Sequence, residues 1–155
     1  FQLIDQWSSV PAKNRLQALD WVLFNYLIGN ADAHAKNISM LVHSQYQFEL
    51  APTYDILCTA LYPELQTQMA MSIGGESEPN RLQAIHWQRL AVDLGMNQAL
   101  LVKRARQLSQ RMDMSLPIAA QQLGLNEHPI VGLVHRVFQE RAAWLEHAVA
   151  QLANG

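Results

Sequence analysis

Between Asn14 and Ile28 the apolar residues do not keep to one face of a helix. Leu16, Leu19, Leu23, Tyr26 and Leu27 share one stripe, and Trp21, Phe24 and Ile28 make a second. A helix that is apolar nearly all round is a buried helix, so the fold has to be assembled around this one. Asn14 reads as its N-cap and Gly29 as its C-terminal stop. The helix then delivers the chain into Gly-Asn-Ala-Asp-Ala-His-Ala-Lys-Asn, residues 29–37, a polar stretch beside the hydrophobic interior.

After that stretch, residues 38–42 and 46–50 alternate as two short strands, with His43, Ser44 and Gln45 turning the chain into an antiparallel hairpin. Pro52 excludes a continuing central strand. Residues 1–13 read as an entry segment whose local order Pro11 ends, and residues 56–63 as an irregular or helical turn closed by Pro63. Met69, Met71 and Ile73 alternate as in a strand, followed by a loop over 74–80. The remainder is helical. One helix over 86–94 stops at Gly95, and a second runs from near Asn97 to about Leu116, before Pro117. A short one follows over 117–123, and a long one from Pro129 to about Leu152 carries Ile130, Val134, Val137, Phe138, Leu145, Val149 and Leu152 as its core stripe. The predicted class is mainly α, packed helices with one small β-hairpin.

A chain of 155 residues reads as one domain, residues 1–155, large enough to bury a real core. Its charged fraction is 15%, below the usual share of about 25%. Two explanations stay open: part of the surface is covered by another subunit or chain segment, or the surface is simply rich in Ala and Gln. A net charge of −2 gives no global basic field for nucleic acid. Cys58 alone makes no internal disulfide and suits a reducing cytoplasm, and no apolar run is long enough for a membrane span.

The chemistry concentrates in residues 29–55. In protein kinases a catalytic Asp accepts the substrate hydroxyl proton, an Asn five residues on holds magnesium, and a second Asp beyond the next hairpin holds magnesium against the phosphates. Asp32 and Asn37 have that spacing, but so do Asp20 and Asn25 inside the apolar helix. The hairpin supplies the distinction. A turn over 43–46 sets residue 39 opposite 50 and residue 37 opposite about 52, so Asn37 and the segment ending at Asp55 emerge side by side, about 4.8 Å apart. Two oxygen ligands completed by water and phosphate oxygens suit magnesium.

Leu27 to Ser39, followed by Leu50-Ala-Pro-Thr-Tyr-Asp-Ile56, closely resembles the HipA-type serine/threonine kinases, the bacterial toxins of toxin–antitoxin pairs. The likeness continues through Met71-Ser-Ile-Gly-Gly-Glu76 and His86-Trp87. The resemblance implies a kinase-like C-terminal lobe with Asp32 as catalytic base and Asn37 and Asp55 as ligands of Mg2+. It also implies that His34, Ala35, Lys36 and Asn37, with Tyr54 and Asp55, line the phosphates of ATP. The γ-phosphate would pass to a protein serine or threonine, with an aminoacyl-tRNA synthetase as candidate substrate, in the bacterial cytoplasm. The implied partner is a HipB-like DNA-binding antitoxin.

Only 31 residues precede Asp32, and none of the 155 forms a Gly-rich loop followed by a strand lysine. The expectation is therefore a C-terminal lobe whose N-terminal, ATP-covering lobe is absent from this sequence, and which is inactive in isolation. Asp55 is followed by Ile56-Leu57 rather than Phe-Gly, so no Phe-Gly switch is expected there. Lys103, Arg104, Arg106 and Arg111 give one helix a basic face, read as solvated, with a minor DNA phosphate contact at most. Cys58, Trp87, Trp144, Met69 and Met71 read as packing. Two other classes stay open: a non-catalytic helical module that binds an antitoxin, and a metal-dependent hydrolase using Asp32, His34 and Asp55.

Overall fold

The computed structural model describes residues 2–43 and 47–154. Its elements are α1 (Gln2–Trp7), α2 (Pro11–Ile28), a 3-10 turn (Ala35–Asn37), β1 (Met40–His43), β2 (Gln47–Leu50), 3-10 turns at Thr59–Leu61 and Pro79–Arg81, α3 (Ala84–Asp93), α4 (Gln98–Gln122) and α5 (Pro129–Asn154). The mainly α architecture with one hairpin is the one the sequence predicts.

The central helix is where the periodicity placed it, but it starts three residues earlier. Pro11 does not end order; it opens α2, where its missing N–H is no loss. Asn14 is not the N-cap. It lies fully buried in the helix and donates through Nδ2 to Ser8 Oγ at 2.8 Å, while Val10 holds the cap position. Leu19, Leu23 and Leu27 are completely buried and pack into one core with α4 and α5. Trp87 of α3, also fully buried, meets Tyr26 of α2 edge to face at 5.2 Å.

The hairpin pairs Met40 with Leu50 and His43 with Gln47. This register is one residue away from the expected one: Ser39, predicted opposite Leu50, instead accepts a hydrogen bond from the Ala51 N–H at 2.8 Å. The reason is loop length. Three residues, 44–46, separate the paired ends, and connection length fixes register. Those three, including most of the predicted turn and the predicted strand residue Tyr46, lie outside the described residues. Leu50 is buried against the core, whereas Leu41 and Val42 face solvent. The free edge of β2 is capped by the segment before α2, where the Phe48 carbonyl accepts from Ser9 N–H and the Phe48 N–H donates to Ser9 Oγ, both at 2.9 Å.

Four further expectations are corrected. Met69–Ile73 is no strand; only an isolated bridge joins Ile73 to Glu76, because the glycines behind it turn the chain at once. Pro117 does not end its helix. α4 runs through it to Gln122, so the 97–116 and 117–123 helices are one. An interior proline costs roughly 3 kcal/mol; Met112 before it and Ala120 after it are both buried, and this packing favours a continuous rod. The α5 stripe is buried from Phe138 to Leu152, but Ile130 is 39% exposed, in company with exposed Met114, Ile118, Leu123 and Leu133 at that end of the α4–α5 pair. Trp144, read as packing, is 45% exposed.

Gly29 closes α2 in the left-handed region at φ 72°, its N–H bonding back to Tyr26 and the Asn30 N–H to Asn25. A Cβ there would stand 2.7 Å from Val137 of α5 and 2.8 Å from Ala60. Gly29→Ala combines left-handed strain with overpacking, and should lower stability by about 2–4 kcal/mol. Urea unfolding checks this; a change under 1 kcal/mol, on the scale of an ordinary surface substitution, would mean that the close approach is not real.

Candidate active site

The loop after α2 is held by buried polar side chains. Asn25, inside the apolar helix, donates through Nδ2 to the Trp21 carbonyl at 2.8 Å. Its Oδ1 accepts from Asn30 Nδ2, also at 2.8 Å. Asn30 in turn accepts the Asp32 N–H on Oδ1 at 3.1 Å and faces the Asp55 carbonyl at 3.5 Å. Thr59 completes the frame, its hydroxyl accepting the Ala31 N–H at 2.7 Å and donating to the Gly29 carbonyl at 3.0 Å. From the far side the Ala70 N–H bonds to the Ala31 carbonyl at 2.8 Å. Asp32 is thus presented on a backbone fixed at Ala31 and at its own N–H.

Sequence reasoning missed Asn25, Asn30 and Thr59. The signal was available: an asparagine in the interior of a helix apolar all round has to satisfy its amide locally or through a buried partner. By spacing alone Asn25 reads only as the partner of Asp20. Asp20 is indeed unrelated to the site, since it pairs with Arg104.

Asp32 itself is exposed. Ala35 to Asn37 form a 3-10 turn that begins after His34 and buries the Asn37 side chain. Asn37 Nδ2 then donates to Asp55 Oδ2 at 3.0 Å. The expected meeting of Asn37 and Asp55 is therefore direct, even with the register shifted. Asp55 adopts φ 56°, the only non-glycine residue with positive φ among the described residues. Such a backbone costs roughly 1–3 kcal/mol and persists where the surroundings enforce it. Tyr54 holds the neighbouring strand exit to the loop, its hydroxyl donating to the Lys36 carbonyl at 3.0 Å and lying 2.6 Å from Ser39 Oγ. Ala35 and the Lys36 side chain are exposed beside it. His34 is half-buried, with Nδ1 inaccessible and unpartnered.

The donor set fits one class of ion. Among the described residues no three His, Cys, Asp or Glu side chains gather as a transition-metal cage. One carboxylate with one carboxamide suits a hard cation that keeps water and phosphate oxygens as its other ligands. Burial pushes the Cys58 thiol pKa up, against smaller lowering effects from the Leu61 backbone and Arg141, and so disfavours the reactive thiolate.

Comparison with known proteins gives the family. The family described as HipA-like C-terminal domain matches residues 1–116. The chain belongs to that family. It is 40% identical over 108 residues to Y4mE of Sinorhizobium fredii, a protein with a provisional kinase name, covering 70% of this chain and 26% of that protein. It is 32% identical over 106 residues to the serine/threonine-protein kinase toxin HipA of Shewanella oneidensis, covering 68% and 24% respectively. A HipA chain from the Shewanella oneidensis complex of HipA, HipB and operator DNA superposes with a TM-score of 0.66 at 27% identity, covering 91% of this chain and 32% of that one. The chain thus spans about a quarter of the length of the curated relatives it matches. Among the described residues no helix is long and apolar enough to cross a membrane.

The Asn25–Asn30 bond carries a measurable consequence. Asn25→Leu keeps the branched shape but removes the acceptor, leaving the buried Asn30 amide only its 3.5 Å contact to the Asp55 carbonyl, which costs roughly 1–3 kcal/mol. Hydrogen exchange at the Asp32 amide should quicken along with the loss in urea stability. Unchanged exchange at Asp32 would show that the asparagine pair does not hold the loop.

Proposed function

We propose that this chain is the C-terminal lobe of a Mg2+-dependent serine/threonine protein kinase of the HipA toxin type. The observation that carries the proposal is the 3.0 Å contact between Asn37 and Asp55, residues from either side of the hairpin, immediately beyond an exposed Asp32 on a braced loop. Family membership supports the same assignment.

In this reading Asp32 accepts the proton of the acceptor serine or threonine hydroxyl as the γ-phosphoryl group of ATP is transferred. Asn37 and Asp55 would hold magnesium, which when bound neutralises charge on the phosphate oxygens. Their mutual hydrogen bond uses Nδ2 of one and Oδ2 of the other, leaving an oxygen of each for the cation. His34 to Lys36 and Tyr54 border the nucleotide phosphates, with Lys36 adding positive charge. The parts that cover ATP come from a preceding lobe, in keeping with the fraction of its relatives that the chain spans.

The acceptor is a protein in the bacterial cytoplasm, for which the family resemblance favours an aminoacyl-tRNA synthetase. By analogy with the HipA, HipB and operator DNA complex, a HipB-like antitoxin is the proposed partner. DNA contact by this lobe is minor. Arg104 and Arg106 on the α4 basic face already pair with Asp20 and Glu146, the latter through hydrogen bonds of 2.8 and 3.1 Å.

The isolated chain should bind Mg2+·ATP weakly and show no phosphoryl transfer; efficient transfer by it alone would contradict the need for a second lobe. Joined to that lobe, Asp32→Ala should cut acceptor phosphorylation by about 10^2–10^4-fold, the usual worth of a positioned base, with folding unchanged. Radiolabel transfer assays check this. Retained activity would remove Asp32 as the base, and the absence of any Mg2+-coupled nucleotide binding in the joined protein would favour a non-catalytic antitoxin-binding module.

A further inference from the structure

A concave site borders the loop that presents Asp32. A cavity of about 250 Å3 is walled by Asn30 and Ala31 of that loop, by Tyr62 and Leu65 of the following segment, and by Arg141 and Trp144 of α5. Its position is fixed by bonds already described, because Thr59 and Ala70 clamp Ala31 from two directions. Arg141 is the feature that gives this cavity a chemistry. Its guanidinium lies 5.5 Å from the Tyr26 ring centre and 5.4 Å from that of Trp144, and Nη1 donates to Asn80 Oδ1 at 2.9 Å.

These contacts hold the guanidinium in one orientation without neutralising it. Neither cation–π stacking nor a carboxamide removes its charge. Among the described residues it has no carboxylate within salt-bridge distance. Glu140 also borders the cavity but is solvent-exposed, where water screens it. Arginine has five N–H donors in a planar fork, and the hydrogen bond to Asn80 occupies one. A half-buried, oriented arginine with donors to spare matches the oxygens of a carboxylate or a phosphate monoester.

We infer that this cavity is a subsite for an oxyanion-bearing side chain of the protein acceptor, with Arg141 as its cation and Tyr26, Tyr62 and Leu65 receiving the apolar stem. The assignment rests on the kinase reading for the identity of the occupant. Ala31 is the residue before Asp32, so an extended acceptor segment, rising about 3.3 Å per residue, spans from one site to the other within a few residues. The side chain recognised is therefore a near neighbour of the phosphorylated hydroxyl.

The test uses binding to this chain without nucleotide, so that it can fail independently of the catalytic assignment. Capped peptides containing serine with Glu, phosphoserine or Gln two residues away are titrated into 15N-labelled protein, following the Arg141 Nε–H and Trp144 indole resonances. At least one anionic peptide should shift both signals and bind about tenfold more tightly than the Gln peptide, the scale of a charge-assisted hydrogen bond. Whether Glu or phosphoserine does so identifies the source of the oxyanion. Arg141→Gln, checked for an unchanged unfolding midpoint, should abolish the difference; if that variant does not fold, the peptide comparison on the unaltered chain decides. Equal binding of all three peptides, or inorganic phosphate competing as well as the anionic peptide itself binds, would overturn the subsite. Binding of Mg2+·ATP that perturbs Asn37 and Asp55 while these peptides leave Arg141 unmoved would sink this inference and leave the kinase reading standing.

Discussion

The close approach at Gly29 is the constraint on which the other parts depend. At that residue the buried helix ends, the chain turns left-handed, and Val137 of α5 and Ala60 press in to distances no side chain would permit. The turn does more than stop a helix. It aims the Gly29 carbonyl at both the Thr59 hydroxyl and the Ala60 N–H, each at 3.0 Å, and so ties the helix end to the segment beyond Asp55.

From that point the site is assembled by buried polar groups rather than by hydrophobic contact. Asn25, Asn30, Asn37 and Thr59 are all within 6% of full burial. Such groups are costly unless paired, and pairing makes them directional. Their directionality is what places the exposed Asp32 and Asp55 beside the buried Asn37 on a rigid support. The Gly74-Gly75 turn belongs to the same support at one remove. Gly74 lies against the His86 carbonyl so closely that a Cβ would sit 2.1 Å from its oxygen. Just before that turn, the Met69 N–H bonds to the Ser77 carbonyl while Ala70 reaches Ala31. The two sequence motifs at 71–76 and 86–87 are therefore one structural unit that braces the loop from outside.

Much of this was readable in advance, and the reasons are particular. The doubled apolar stripe of α2 allowed only a buried helix, and Gly29 allowed only a left-handed stop. The contact of Asn37 with Asp55 followed from hairpin closure, and it survived a one-residue error in register because both side chains lie beyond the paired region. What was not readable depends on tertiary context. Pro11 and Pro117 each have two meanings in a sequence, helix opener or helix breaker; the first opens α2 and the second lies inside α4. Asn25 looked like an accident because its partner, Asn30, is recognisable only once the helix end folds back. Arg141, more than 100 residues from the loop it neighbours, carried no local signal at all.

The central claim is that Asn37 and Asp55 form the cation-holding half of a phosphoryl-transfer site. It is tested most directly by titrating Mg2+ into this chain in the presence of ATP while following the Asn37 side-chain amide and the Asp55 backbone amide by NMR. The account predicts saturable, nucleotide-dependent shifts at both, lost in Asp55→Ala. Shifts confined to other residues, or shifts at Asn37 that survive removal of the Asp55 carboxylate, would contradict it.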